Sequence, residues 1–257
     1  MEHLPASFDQ VLVIVVATYL VVAFAAFVHG FIGLGFPLIT TPCLALLTDL
    51  RSAVIVTVLP NIAVNIVSIA RGGKWSESLG QHWRLAVYVF LGSLLGTQLL
   101  VGLPPEPLKL FLAAIIVVSL NLNRIKRFDW KRLFARRRLS EACFGTVAGL
   151  LSGTVNVSVP PLAIYFMGLQ LTPLATVQVF NLCFIIGKLT QAASLGAAGL
   201  LGRSELLASL PLAIVALLCL RLGMGFGKRL SAAAYRNWLD RTLWVMAAVL
   251  VVQVVLA

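Results

Sequence analysis

One lysine of this 257-residue chain lies well inside a long apolar stretch, where a positive charge is costly. Lys188 follows the middle of the apolar segment 173–195. Such a charge costs at least ~2.5–3.5 kcal/mol on insertion scales, so it normally faces a cavity or a partner. No Asp or Glu lies deep in any apolar segment to neutralise it, which favours attraction of an anion. The alternative is that the long side chain reaches the membrane surface.

Two stretches, 29–37 and 149–161, interrupt apolar segments with Gly, Pro and polar residues. In lipid, an interrupted helix leaves backbone groups unpaired unless they face protein, water or a ligand. Glycine allows a ligand to approach the backbone closely, and helix N-termini present free N–H groups to anions. For any single glycine, close helix packing is the alternative. The candidate anion ligands in these two stretches are Gly33, Gly35, Gly153, Asn156 and Ser158.

Two pairs of amide side chains follow the two interruptions. Asn61 and Asn65 are four residues apart, and Gln178 and Asn181 are three apart, so each pair shares one helix face. Hydrogen bonding between helices would explain each residue singly. As two polar faces in matching places, they are candidates for lining a substrate cavity together with Lys188.

The remaining titratable residues predict no catalytic, metal or cofactor site. His29 could carry a proton, although a packed or interfacial histidine is the simpler interpretation, and His82 is expected to be peripheral. The four cysteines show neither CxxC nor His spacing and are expected to be buried small hydrophobes. Because no HExxH helix, nucleophile with a partnered base or phosphate-binding loop is present, we expect no enzyme and no ATP use.

The composition is that of a polytopic membrane protein. Hydrophobic residues make up 60% of the chain and charged residues 11%, against ~45–50% and ~25% in soluble domains. Residues 1–10 contain no Lys or Arg, so we expect the first apolar run to be a retained helix and not a signal peptide. The net charge of +11 falls in loops between apolar segments, so no nucleic-acid partner is expected.

We predict an all-α membrane protein, a helical bundle with 8–10 transmembrane segments of which the second and seventh are short and interrupted. Segments of 17 to 23 residues can cross a hydrocarbon core of about 30 Å. The ten apolar segments are 9–29, 31–48, 52–71, 83–101, 107–123, 140–156, 158–169, 173–195, 205–222 and 240–257.

The basic residues predict the orientation of these segments. With the run 124–138 in the cytoplasm and every segment crossing, 16 of the 20 Lys and Arg residues fall in cytoplasmic loops, as the positive-inside rule requires. Making the second and seventh segments re-entrant fits that rule less well. Both termini then lie outside the plasma membrane. The basic run is expected to contact anionic lipids, with a regulatory or partner site as the alternative.

This topology makes the two halves enter the membrane from opposite faces, which predicts an inverted repeat. The first repeat is 1–123, the basic cytoplasmic loop is 124–139, and the second repeat is 140–257. Gly92 and Gly96 in the fourth segment correspond by position to Gly223 and Gly227 after the ninth.

The order of these motifs resembles the TauE/SafE family of sulfite-exporter-like membrane transporters. The resemblance covers nearly the whole chain and rests on short stretches whose order and spacing together are specific. In the first half these are 33–38, Pro42, 53–54, 71–73 and 104–110, and in the second half the stretch is Pro160-Pro161-Leu162-Ala163-Ile164-Tyr165. The family often has Gly-Gly directly before Pro-Pro-Leu, whereas this chain has Ser158-Val159, so substrate identity is not transferred with the fold.

The resemblance implies movement of sulfite, a sulfonate or another sulfur-containing anion across the plasma membrane. We expect a secondary transporter, working as an exporter by alternating access at a midplane site between the two repeats. An anion channel, or a scaffold or accessory subunit that transports nothing, remains an alternative. The sequence leaves substrate, direction, coupling ion and oligomeric state open. Without deep carboxylates, a Na⁺ or carboxylate-proton site is not expected.

Overall fold

The part of the chain that the structure describes is almost entirely helical. The computed structural model describes residues 8–70, 76, 80–121, 134, 136–169 and 173–226, and contains no strand within them. The ten helices of these ranges are α1 (Phe8–Ile32), α2 (Phe36–Leu47), α3 (Leu50–Val56), α4 (Val58–Ala70), α5 (Trp83–Gly102), α6 (Pro105–Leu120), α7 (Arg137–Val155), α8 (Val159–Leu169), α9 (Pro173–Ala197) and α10 (Arg203–Phe226). The predicted all-α fold is confirmed.

The third predicted segment, 52–71, is broken in the structure. It forms α3 and α4, which meet at Thr57 with a bend of 51°. Pro60 lacks the N–H that would bond to the Val56 carbonyl in a continuous helix, so the ladder is interrupted at this point. Thr57 instead donates its hydroxyl to the Ala53 carbonyl at 2.7 Å.

The two short interrupted segments form the short helices α2 and α8, of 12 and 11 residues. The last predicted segment, 240–257, and most of the basic run 124–138 lie outside the described residues. Three arginines that close this run, at 136–138, are described and are exposed to solvent.

Four helices of the described ranges are long and apolar enough to cross a membrane, namely α1, α5, α9 and α10. The bent pair α3–α4 is a fifth candidate. The chain is therefore a multi-pass membrane protein. The other described helices are shorter or less apolar, so the crossing of every predicted segment stays a prediction.

Apolar side chains cover the outside of the bundle, and polar side chains are buried in it. Leu20 of α1, Leu95 of α5 and Leu222 of α10 are each about 60% exposed, which suits contact with lipid tails. Inside the bundle are amide, hydroxyl, imidazole and ammonium groups. Buried polar groups in a membrane bundle mark binding sites or hydrogen bonds between helices.

The long helices of each half pack mainly on the other half. Helix α1 packs on α10, and α5 packs on α7. At the centre α4 crosses α9, while α4 also contacts α10 and α9 also contacts α5. The two halves therefore form one bundle with a shared interior, and α4 and α9 are its central helices.

Glycines allow α5 and α7 to approach until their backbones touch. A Cβ on Gly92 or Gly96 would collide with backbone atoms of α7, and a Cβ on Gly149 or Gly153 would collide with backbone atoms of α5. Small residues at such crossings are the usual basis of close helix packing in membranes. Close helix packing is the alternative to a ligand role for any single glycine. At position 153 this packing explains why the residue has no side chain.

The crossing of α1 and α10 is built in the same way. A Cβ on Gly30 would strike the Leu220 carbonyl, and one on Gly223 would strike the Phe27 carbonyl. In the other crossing, Gly153 and Gly96 face the carbonyls of Ser93 and Leu150. Gly223 and Gly96 therefore each face a carbonyl of the helix that they cross, and Gly227 lies outside the described residues.

Candidate functional site

The first interruption is a three-residue break between α1 and α2. Gly33 and Gly35 have φ of 92° and 110°, left-handed values that only glycine adopts at little cost. The Gly33 carbonyl accepts a hydrogen bond from Asn181 Nδ2 at 2.8 Å, so α9 holds the break in place. A Cβ on Gly35 would meet no atom within 4 Å, so there is open space beside this glycine.

His29 caps the start of α2 from the end of α1. Its Nδ1 accepts the Phe36 backbone N–H at 3.3 Å, and its Nε2 lies 2.9 Å from the Ser68 hydroxyl oxygen. Because Nδ1 accepts, the neutral ring carries its hydrogen on Nε2 and donates to Ser68. His29 is fully buried, so it is a packed histidine of the first break, and the interfacial alternative does not apply.

The second interruption lies between α7 and α8 and is joined directly to the first half. Asn156 has φ of 63°, and asparagine is one of the few side chains that tolerate this conformation. Its Nδ2 donates to the Thr41 hydroxyl at 2.9 Å, and Thr41 belongs to α2. The two interruptions are therefore brought together, as an alternating-access site between the two halves requires.

Replacing Asn156 should weaken this junction in two separable steps. Asn156→Gly keeps the left-handed backbone and loses the bond to Thr41, which should cost about 1 kcal/mol. Asn156→Ala should cost about 1 kcal/mol more, because alanine disfavours a positive φ. Thermal unfolding of the detergent-solubilised proteins would test the expected order of melting temperatures, in which wild type is highest and Asn156→Ala is lowest. Equal melting temperatures for the two variants would show that the backbone conformation is not what selects asparagine.

Lys188 is buried at the centre of the bundle, with 1% of its surface exposed. Its Nζ donates to Gln191 Oε1 one turn along α9, and Gln191 Nε2 donates to the Gly153 carbonyl at 2.8 Å. Lys188 is thus connected to the end of α7, three residues before Asn156. It does not reach the membrane surface, and among the described residues no carboxylate forms an ion pair with it.

The amide pair of α4 leaves polar atoms without partners. Asn65 Nδ2 donates to Asn61 Oδ1 at 2.7 Å, and both side chains are fully buried. Within the described residues, Asn61 Nδ2 and Asn65 Oδ1 have no hydrogen-bond partner, and neither does Asn181 Oδ1. Turning both amides around reverses this bond and still leaves one donor and one acceptor free in the pair, whereas turning only one of them breaks the bond. Such buried, unpaired atoms are costly unless a ligand or water pairs with them.

The structure places the sequence-predicted residues in the two breaks and on three helices, with Gly153 near the end of α7. The glycines 33 and 35 and Asn156 lie in the breaks, Ser158 is buried beside the start of α8, and the remaining amides and Lys188 lie on α4 and α9. Three hydroxyl residues that connect these elements were not predicted from the sequence. They are Thr41, Ser93, which donates to the Gly187 carbonyl at 2.9 Å, and Ser152.

The missed residues carry a weak signal in the sequence. Each is a hydroxyl residue inside an apolar segment, and such a residue usually bonds to its own helix. Only packing shows that Thr41 and Ser93 bond across helices instead.

Comparisons with curated proteins and with solved structures give no significant match. The family model of the sulfite exporter TauE/SafE matches residues 18–252, a range that includes both breaks and every candidate site residue. With nearly its whole length matched, the chain belongs to the TauE/SafE family of membrane transport proteins.

Proposed function

We propose that this protein is a secondary transporter that exports a small sulfur-containing oxyanion, with sulfite as the first candidate. The observation that carries the proposal is Lys188, a fully buried cation on α9, the helix that bonds to the first break through Asn181 and to the end of α7 through Gln191. An ammonium group has three N–H donors, and Gln191 uses one of them. The others, together with Asn61 Nδ2, suit the oxygens of a sulfite or sulfonate group.

The repeat supports a midplane site that alternates between the two sides. Pro37 and Pro160, which open α2 and α8, are 123 residues apart, as are Gly33 and Asn156 in the two breaks. The packing of the long helices is consistent with this repeat. Helix α1 of the first half packs on α10 of the second half, and α7 of the second half packs on α5 of the first half. An inverted repeat of this kind allows one half to rock against the other around a fixed site.

Polar contacts repeat at the same interval. Ser68 of α4 bonds to His29 before the first break, and Gln191 of α9 bonds to the Ser152 carbonyl at 3.3 Å before the second. Ser68 and Gln191 are 123 residues apart, and so are His29 and Ser152. By this alignment Lys188 occupies the position of Asn65. The proposed site therefore takes residues from equivalent positions of the two repeats, but its positive charge comes from the second repeat alone. This asymmetry suits a monoanion or dianion of low symmetry.

The orientation that the basic residues predict is part of this proposal. With the loop 124–138 in the cytoplasm near anionic lipids and both termini outside, the membrane potential drives an anion outward. Export through the proposed site then needs no ATP, because the potential supplies the driving force.

Reconstitution in liposomes tests the proposed activity. We expect saturable uptake of labelled sulfite, competition by thiosulfate or a sulfonate, and weak competition by chloride. Unlabelled sulfite inside the vesicles should accelerate uptake, because a carrier exchanges substrate across the membrane. Flux without such acceleration would identify a channel, and the absence of any anion flux would leave the scaffold alternative.

A further inference from the structure

A second polar cluster lies at the end of the bundle where α5 and α7 begin. It consists of Glu141 in the second turn of α7, His82 just before α5, and Tyr165 of α8. All three are buried, Glu141 with only 2% exposed. Glu141 is 11 residues from Ser152 on the same helix, or roughly 16 Å at 1.5 Å per residue, so the cluster is separate from the Lys188 site.

Three atoms of this cluster have no hydrogen-bond partner within the described residues. They are Glu141 Oε2, the Tyr165 hydroxyl and His82 Nδ1. His82 interacts electrostatically with Glu141, and Tyr165 does so too, so the three groups belong to one cluster. The sequence pattern predicts a peripheral His82, whereas its side chain is only 4% exposed in the structure. Glu141 sits at the very edge of its apolar segment, which is why the pattern gave no sign of its burial.

The charged and titratable groups around Glu141 come from each element packed there. Arg137 of α7 holds Glu141 Oε1 at 3.0 Å, His82 comes from the α5 side, Tyr165 from α8, and Cys183 of α9 interacts with Tyr165. The Arg137 side chain is 60% exposed. The carboxylate is therefore buried, while its ion-pair partner reaches water.

We propose that Glu141, with Tyr165 and His82, forms a proton-binding site that couples anion transport to the proton gradient. This rests on the proposed function. Glu141 Oε2 takes a proton from water and, as a neutral acid, donates a hydrogen bond to Tyr165 or His82. When the proton returns to water, the Tyr165 hydroxyl donates to the carboxylate instead. In both states Glu141 Oε2 has a hydrogen-bond partner within the cluster.

A proton fits this cluster better than a metal ion. Hard cations take about six or more oxygen ligands, whereas one carboxylate oxygen and one hydroxyl are offered here, and the Arg137 charge repels a cation. Among the described residues no group of three His, Cys, Asp or Glu side chains could hold a metal. Burial, and then the Arg137 charge, lower the pKa of His82, with Glu141 acting in the opposite direction. A neutral His82 can accept the hydrogen bond at Nδ1.

The position of the cluster suggests how proton binding affects transport. Glu141 and Tyr165 lie on α7 and α8, the two helices joined by the second break. A change in the hydrogen bond between them alters how these helices are held across the break. Proton binding therefore favours one arrangement of the second break over the other.

Vesicles containing the purified protein test this proposal. At a clamped membrane potential, an imposed pH gradient should accelerate labelled sulfite flux by the wild type. Glu141→Gln should lose this acceleration and keep sulfite exchange at equal pH. The matched control is Glu106→Gln, at the exposed start of α6, which should behave as wild type. An equal response to the pH gradient in Glu141→Gln and wild type would overturn the proposal. The pH also sets the ratio of bisulfite to sulfite, but this ratio is the same for both proteins because both are measured in the same solutions.

A second measurement does not depend on transport. Infrared difference spectra recorded across a pH titration should show a protonated-carboxyl band. Glu141→Gln should remove this band, and Tyr165→Phe should change the pH at which it appears. Tyr165→Phe keeps the aromatic ring, whose centroid lies 5.9 Å from that of Phe144, so the variant should fold as the wild type does. A spectrum unchanged by Glu141→Gln would overturn the site. If sulfite flux is absent but the band is present, the proposed function fails while the proton site stands.

Discussion

Lys188→Met should reduce sulfite flux in proteoliposomes by at least about tenfold, the equivalent of losing one charge-assisted hydrogen bond of ~1.5–3 kcal/mol. Methionine has a similar length and removes a buried charge, a change that is often neutral for stability. Gln191 keeps its bonds to the α7 carbonyls. The loss should therefore appear in flux and substrate affinity and leave the melting temperature nearly unchanged.

Lys109→Met is the control for this result. Lys109 lies in the first turns of α6 and is partly exposed, and the substitution removes the same charge outside the central site. We expect flux close to wild type. If the two variants lowered flux equally, overall charge would explain the effect and Lys188 would have no special role.

Gly149→Ala should strongly destabilise the fold, although it adds only one methyl group. The added Cβ collides with the Val89 carbonyl of α5, and a backbone atom cannot move aside as a flexible side chain does. Overpacking typically costs about 1–3 kcal/mol, and a backbone clash lies at the upper end. Thermal unfolding in detergent would show a clear decrease in melting temperature.

Gly102→Ala is the matched control. Gly102 ends α5, and a Cβ there meets no atom within 4 Å. Its melting temperature should equal or slightly exceed that of wild type, because alanine restricts the unfolded chain more than glycine does. If both substitutions were tolerated equally, the close crossing of α5 and α7 would be wrong.

The fold class and the grouping of the candidate site follow from local sequence. The two breaks are visible because Gly33, Gly35 and the prolines interrupt apolar runs, and Lys188 stands out because a buried charge is rare in a membrane helix. Helical periodicity placed the two asparagines of α4 on one face. These are properties of single segments, so no knowledge of packing was needed.

Contacts between segments could not be read in this way. The bond from Asn156 to Thr41 joins residues 115 positions apart, and a threonine in an apolar segment gives no sign of such a partner. Which glycine of α5 faces Leu150 is likewise visible only in the crossing of α5 and α7. Burial of Glu141 likewise depends on α5 and α8 covering the start of α7.

The central claim is that an oxyanion binds at Lys188 between the two breaks. Selenite replaces the sulfur of sulfite with a heavier atom, so crystals grown with it would locate the anion by anomalous scattering. We predict a selenium peak within hydrogen-bonding reach of Lys188 Nζ, absent from crystals of Lys188→Met. Selenium found only at the surface of the bundle, or a peak that persists unchanged in Lys188→Met, would contradict this claim.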